Sequence, residues 1–155
     1  MPRLSRHSGV YEKARITLPV LLKSIKSNPN FAKAGAVGVF VGVVRGETIG
    51  KNVVQKLELE AYEEKANEVL AEICGELKER DGVVDVQIHH LIGEFGVSED
   101  VVYVIVAGVH RHDVFPVLEE AVERYKNEAP IFKKEYIIDE EETPRSYWVS
   151  ERKTR

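Results

Sequence analysis

Two uninterrupted runs of small and β-branched residues, 34–44 and 101–109, constrain this chain more than any other feature. Both are too short to cross a bilayer, and neither offers water a polar face. Each therefore predicts a core strand covered on both sides. Around them hydrophobicity switches between two periods. Over residues 54–61, Leu57, Leu59 and Ala61 alternate with Lys56, Glu58 and Glu60, the pattern of a half-buried strand that pairs back on the first run. Over residues 63–80, Ala66, Val69, Leu70, Ile73, Cys74 and Leu77 recur at helical spacing, and Asp81-Gly82 ends the helix.

The remaining segments follow the same logic. Thr17 is placed to cap a helix carrying Leu18, Leu21, Leu22 and Ile25, stopped at Asn28-Pro29. Val84, Val86 and Ile88 alternate with Asp85 and Gln87 in a strand that turns through residues 93–100 into the second apolar run. Asp113 is placed to cap a third helix with Phe115, Leu118, Val122 and Tyr125 inward, ending at Ala129-Pro130. Residues 131–138 and 147–149 predict two final strands. Paired strands separated by helices give an α+β class: one domain over residues 1–155, with a mixed, largely antiparallel sheet and three main helices. Residues 1–33 form a basic arm and the first helix, with a loose start, and residues 150–155 a charged tail.

Charge and sulfur content narrow the function. Residues 1–33 hold seven Lys or Arg against Glu12, while the whole chain of 155 residues carries −4. The basic arm has few aromatics and leads an acidic domain, so no nucleic-acid partner is expected. A single cysteine excludes a disulfide framework, a CxxC pair and a cysteine zinc cluster, and with no signal-like segment or membrane span it fits the cytoplasm. No metal and no resident cofactor are expected: His89-His90 lacks a third ligand at metal spacing, and no dinucleotide or Walker loop is present.

The chemistry concentrates at strand and helix ends. The first apolar run ends Val43-Val44-Arg45, and the second ends at His110-Arg111, where a helix N-terminus follows. An arginine fork grips phosphate or carboxylate, and histidine donates, accepts or changes charge near neutrality; surface ion pairing is the plain alternative. Lys126 closes the third helix, and Lys133, Lys134 and Glu135 open the next strand. Lys126 reads either as a solvated cap favoured by the helix dipole or, held among other cations and partly desolvated, as a base or nucleophile. Lys133 and Lys134 alternate, so only one shares a side with Lys126.

Five phrases in order resemble one family: residues 38–45, residues 57–62 leading into a helix, residues 90–94, His110-Arg111, and residues 126–135. Together they are similar to the large, catalytic subunit of molybdopterin synthase over about residues 34–149. The resemblance implies an α/β-hammerhead-like fold and a sulfurtransferase. Such an enzyme adds two sulfur atoms to cyclic pyranopterin monophosphate, forming the dithiolene of molybdopterin. The sulfur comes from the C-terminal glycine thiocarboxylate of a small ubiquitin-like subunit. It also implies a homodimer within a heterotetramer.

Carried over by residue, the resemblance makes Lys126 and Lys133 catalytic. Val43, Val44, Arg45, His110, Arg111, Lys126, Lys133, Lys134 and Glu135 would bind the substrate. Residues up to Lys33 match poorly, Phe132 stands where tryptophan is frequent, and His90 is expected to lie away from the catalytic set. The alternative is a noncatalytic dimeric module that binds a phosphorylated ligand through Arg45, His110 and Arg111.

Overall fold

The computed structural model describes residues 8–149. The predicted tail at residues 150–155 and the start of the basic arm, including Arg3 and Arg6, lie outside the described residues. The strands are β1 (Gly9–Glu12), β2 (Ala36–Val43), β3 (Val53–Ala61), β4 (Val83–Phe95), β5 (Asp100–Gly108), β6 (Ile131–Ile138) and β7 (Pro144–Val149). The helices are α1 (Leu18–Lys26), α2 (Glu63–Lys78) and α3 (Arg111–Glu128). One sheet runs in the order β2-β5-β4-β3-β6-β7, and β1 pairs with β4 in parallel while every other pairing is antiparallel. The α+β class read from the sequence is the observed one. No helix among the described residues is long and apolar enough to cross a membrane.

Strand β4 holds the sheet together. Its first part, from Val83 to His90, pairs with β5, and Gly93 to Phe95 pair with β3. Asp85 and Gln87, which alternate with valines in sequence, are fully buried rather than solvated. They are held by local bonds: Asp85 accepts from its neighbour's Val86 N–H at 2.9 Å and from Gln87 Nε2 at 3.4 Å, and Gln87 Oε1 meets His89 Nε2 at 2.9 Å. Lys78, from the last turn of α2, stands 3.6 Å from Asp85. Buried polar atoms keep such a position only when they are bonded.

The α2 stripe is buried as its spacing predicts, Cys74 included, and Ser8 Oγ donates to the thiol at 3.3 Å. Burial pushes the Cys74 thiol up to about 11, so it stays protonated and unreactive. In α3 the buried stripe is Val114, Val117, Ala121 and Tyr125, and Phe115 is exposed. The helix starts three residues earlier than the cap placed at Asp113 requires. Its N-cap is His110, and Asp113 accepts the His110 N–H from inside the first turn at 3.1 Å. Thr17 precedes α1 but makes no side-chain cap bond.

Three pairing expectations are corrected. The start is not loose from Gly9 on: β1 lies beside β4, with Gly9 opposite His89. β3 does not pair back on β2; it pairs with β4 and β6, because the loop between them carries the chain past β5 and β4 in the sheet. β2 is an edge strand with half-exposed residues, not a strand covered on both faces. Continuous apolarity reports that something covers a strand, and in the single chain much of that cover is missing.

Two glycines separate conformational need from convenience. Gly82 has φ +81°, and a Cβ there would strike the Asp113 carboxylate that bonds the start of α3. Gly82→Ala should cost about 1–3 kcal/mol in chemical denaturation. Gly75, inside α2 with nothing within 4 Å, should instead gain roughly 0.5–1 kcal/mol as alanine. Equal effects at both positions would contradict this account.

Candidate active site

The inner face of β3 and β6, the end of β2 and the last turn of α3 enclose a cleft of about 820 Å³. Its floor alternates by strand register. Leu57 pairs with Glu135 and Leu59 with Lys133, and all four line the cleft. Period two sends Lys134 to the other side of β6, where its ammonium lies 5.4 Å from the Tyr136 ring and 5.6 Å from the Trp148 ring. The contact with Trp148 ties β6 to β7 on the outer face. Lys134 is therefore not a wall of the cleft, and Lys133 is the lysine of the pair that faces it.

Three cations reach the cleft from three elements: Arg45 just beyond β2, Lys126 from the last turn of α3 and Lys133 from β6. Val43 and Val44 line the same wall, and Glu135 and Glu47 are the acids. Tyr147 donates its hydroxyl to Glu135 at 3.4 Å. Burial, with Glu135 adding to it, pushes that phenol up, so Tyr147 remains a donor. Arg45 and Lys126 are exposed and Lys133 half-buried.

His110 and Arg111 do not share this cleft. They begin α3 and Lys126 ends it, so roughly 24 Å of helix separates His110 from Lys126 at 1.5 Å per residue. His110 is exposed, with Asp113 3.6 Å from its ring. The expected convergence of Arg45, His110, Arg111, Lys126 and Lys133 is therefore corrected for one chain. Arg45, Lys126 and Lys133 come together, while His110 and Arg111 stand at the far end of the helix.

The sequence reading also set His90 apart from the site, and the structure puts it in the cleft lining. His90 is 5% exposed, and its ring meets Tyr125, the neighbour of Lys126, edge-on at 5.6 Å. Its Nδ1 donates to Leu91 O at 2.9 Å. Strand alternation was the available signal: adjacent residues on β4 must face opposite ways. His89 turns toward β1, with Tyr11 5.7 Å away, and His90 turns into the cleft. Among the described residues, no group of three or more His, Cys, Asp or Glu is placed to hold a metal.

Comparison with known proteins agrees with this architecture. The profile of the family described as MoaE protein matches residues 13–128. A probable molybdopterin synthase of Haloferax volcanii is 38% identical over 138 residues, 88% of this chain. The match covers 51% of that protein, so the chain spans about half its length. A molybdopterin synthase catalytic subunit of Bacillus subtilis is 37% identical over 132 residues, covering 84% of this chain and 83% of that one. The crystal structure of molybdopterin synthase from Staphylococcus aureus superposes with a TM-score of 0.80 at 32% identity, covering 94% of this chain and 98% of the other. The chain belongs to the MoaE family, that of the molybdopterin synthase catalytic subunits.

Proposed function

We propose that this chain is a sulfurtransferase that moves two sulfur atoms from the C-terminal thiocarboxylate of a small ubiquitin-like subunit to cyclic pyranopterin monophosphate. The observation that carries the reading is the meeting of Arg45, Lys126 and Lys133 in one open cleft of an otherwise acidic chain. Donor and acceptor are both anionic, and fixed cations lower their repulsion while holding the reacting atoms close. Arg45 suits the phosphate. Lys126 and Lys133 deliver and take protons as the thiocarboxylate sulfur bonds to a pterin carbon and oxygen leaves it, and as water then cleaves the acyl–sulfur bond, leaving sulfur on the pterin and releasing the spent carboxylate. Val43 and Val44 shape the wall, and Glu135 orients the Tyr147 hydroxyl. The tail of the small subunit enters the cleft and shields Lys126, exposed in the single chain, from bulk solvent.

The working form is a homodimer within a heterotetramer. Two features support it: the half-exposed apolar edge of β2, and the distance of His110 and Arg111 from the cleft of their own chain. Twofold pairing of two β2 edges runs the strands antiparallel. The Ala36 end, which lies beside Gly108, then faces the Val43 end of the other copy. His110 and Arg111 of one copy thereby join Arg45 of the other to bind the phosphate.

Purified chain, cyclic pyranopterin monophosphate and thiocarboxylated small subunit should yield the two-sulfur product by mass spectrometry. Lys126→Ala should lower the rate about a hundredfold or more with the circular dichroism unchanged. A noncatalytic ligand-binding module would show no turnover in either protein. Mixing Arg111→Ala with Lys126→Ala subunits should restore about a quarter of wild-type activity, since half the dimers would then hold one intact site. No recovery on mixing would overturn the shared site.

A further inference from the structure

We infer that Glu99, braced by Lys13, is a positioning residue that fixes the backbone on which Arg45 reaches into the cleft. This rests on the reading of Arg45 as a substrate contact. Arg45 itself is exposed, yet the residues on either side of it are held. Val44 is 3% exposed; its N–H donates to Glu99 O at 3.0 Å, and its carbonyl accepts the Ser98 N–H at 2.8 Å. Gly46 O accepts the Val54 N–H at 3.0 Å, and a Cβ on Gly46 would come within 3.2 Å of Val97. The turn from β4 to β5 thus clamps the chain immediately before Arg45 and packs on it immediately after.

The shape of that turn depends on one carboxylate. Glu99 Oε1 accepts the Gly96 N–H at 2.6 Å, and the Glu99 N–H donates to Gly96 O at 3.2 Å, closing the turn from both sides. Ser98 sits inside it at φ +73°, a conformation that needs such support. Lys13 reaches in from the segment after β1. Its ammonium donates to Glu94 O at 2.9 Å, lies 2.9 Å from Glu99 Oε2 and stands 5.2 Å from the Phe95 ring. The Lys13 N–H also donates to Ile92 O at 3.0 Å, so the cation is anchored at its own backbone. The Gly96 N–H and then Lys13 hold the Glu99 carboxyl below the usual carboxylate range, so it stays ionised at neutral pH.

An unbroken path therefore runs from Lys13 through Glu99 and the turn to Val44 and Arg45. It gives a cation of the basic arm a task inside the domain. Loosening it leaves Lys126 and Lys133 in place and lets Arg45 wander, which weakens substrate capture more than the chemical step.

The test is steady-state kinetics with cyclic pyranopterin monophosphate and the thiocarboxylated small subunit. Glu99→Ala should raise KM for the pterin about five- to tenfold, with kcat within about twofold. Lys13→Gln, which leaves the internal bonds of the turn intact, should raise it about two- to threefold. In an Arg45→Ala background, which itself raises KM, Glu99→Ala should add nothing further, an interaction that general destabilisation does not produce. An equal added rise in that background would overturn the inference, as would an unchanged KM in Glu99→Ala when Arg45→Ala raises it. If Arg45→Ala alone leaves KM unchanged, the assignment of Arg45 to the substrate fails, and its positioning falls with it.

Discussion

Everything in this fold hangs on β4. One strand is shared between two halves of the sheet: its first part pairs with β5, and β1 joins its other edge from Gly9 onward, while its last residues pair with β3. From Asp85 to Ile92 every residue is buried. A strand enclosed on both faces cannot shift without breaking neighbours on each side. Its rigidity fixes where β5, and through it β2, stands relative to β3 and β6. The cleft is the space left between those two halves, so its width is set by the spine of the core.

The helices were legible in the sequence because a buried face repeats at a known period. The α2 stripe matches residue for residue. In α3 the stripe rotates by one position, so Val114 and Val117 are buried in place of Phe115, which a pattern weighted by side-chain size selects wrongly. Strand partners were not legible. Alternation tells which residues share a face of β3, but no local signal says that its neighbours are β4 and β6, brought there by chain far away in sequence. The β1 pairing is lost for the same reason, since four residues carry too short a pattern to read.

The site divides along the same line. Alternation foresaw that only one of Lys133 and Lys134 faces Lys126, and the register with β3 selects Lys133. It could equally have separated His89 from His90, which were read together as a pair. The family resemblance gathers Arg45, His110, Arg111 and Lys126 as one set of residues but is silent about how many chains supply them. The 18 residues of α3 were present in the sequence, and their length already forbids His110 and Lys126 from meeting within one chain.

Asp85, Gln87 and His89 form a polar file along the side of β4 opposite His90. A slip of one residue would turn that file toward the cleft and carry Val86, Ile88 and His90 to the other side, where Lys78 would lose Asp85 and Gln87 would lose its bonds. Burying these groups lowers the hydrophobic yield of the core, yet it makes the misaligned strand much worse than the aligned one. Because the same strand presents His90 to the cleft, the file acts as a proofreader: a core that accepts β4 has already verified the alignment of the site.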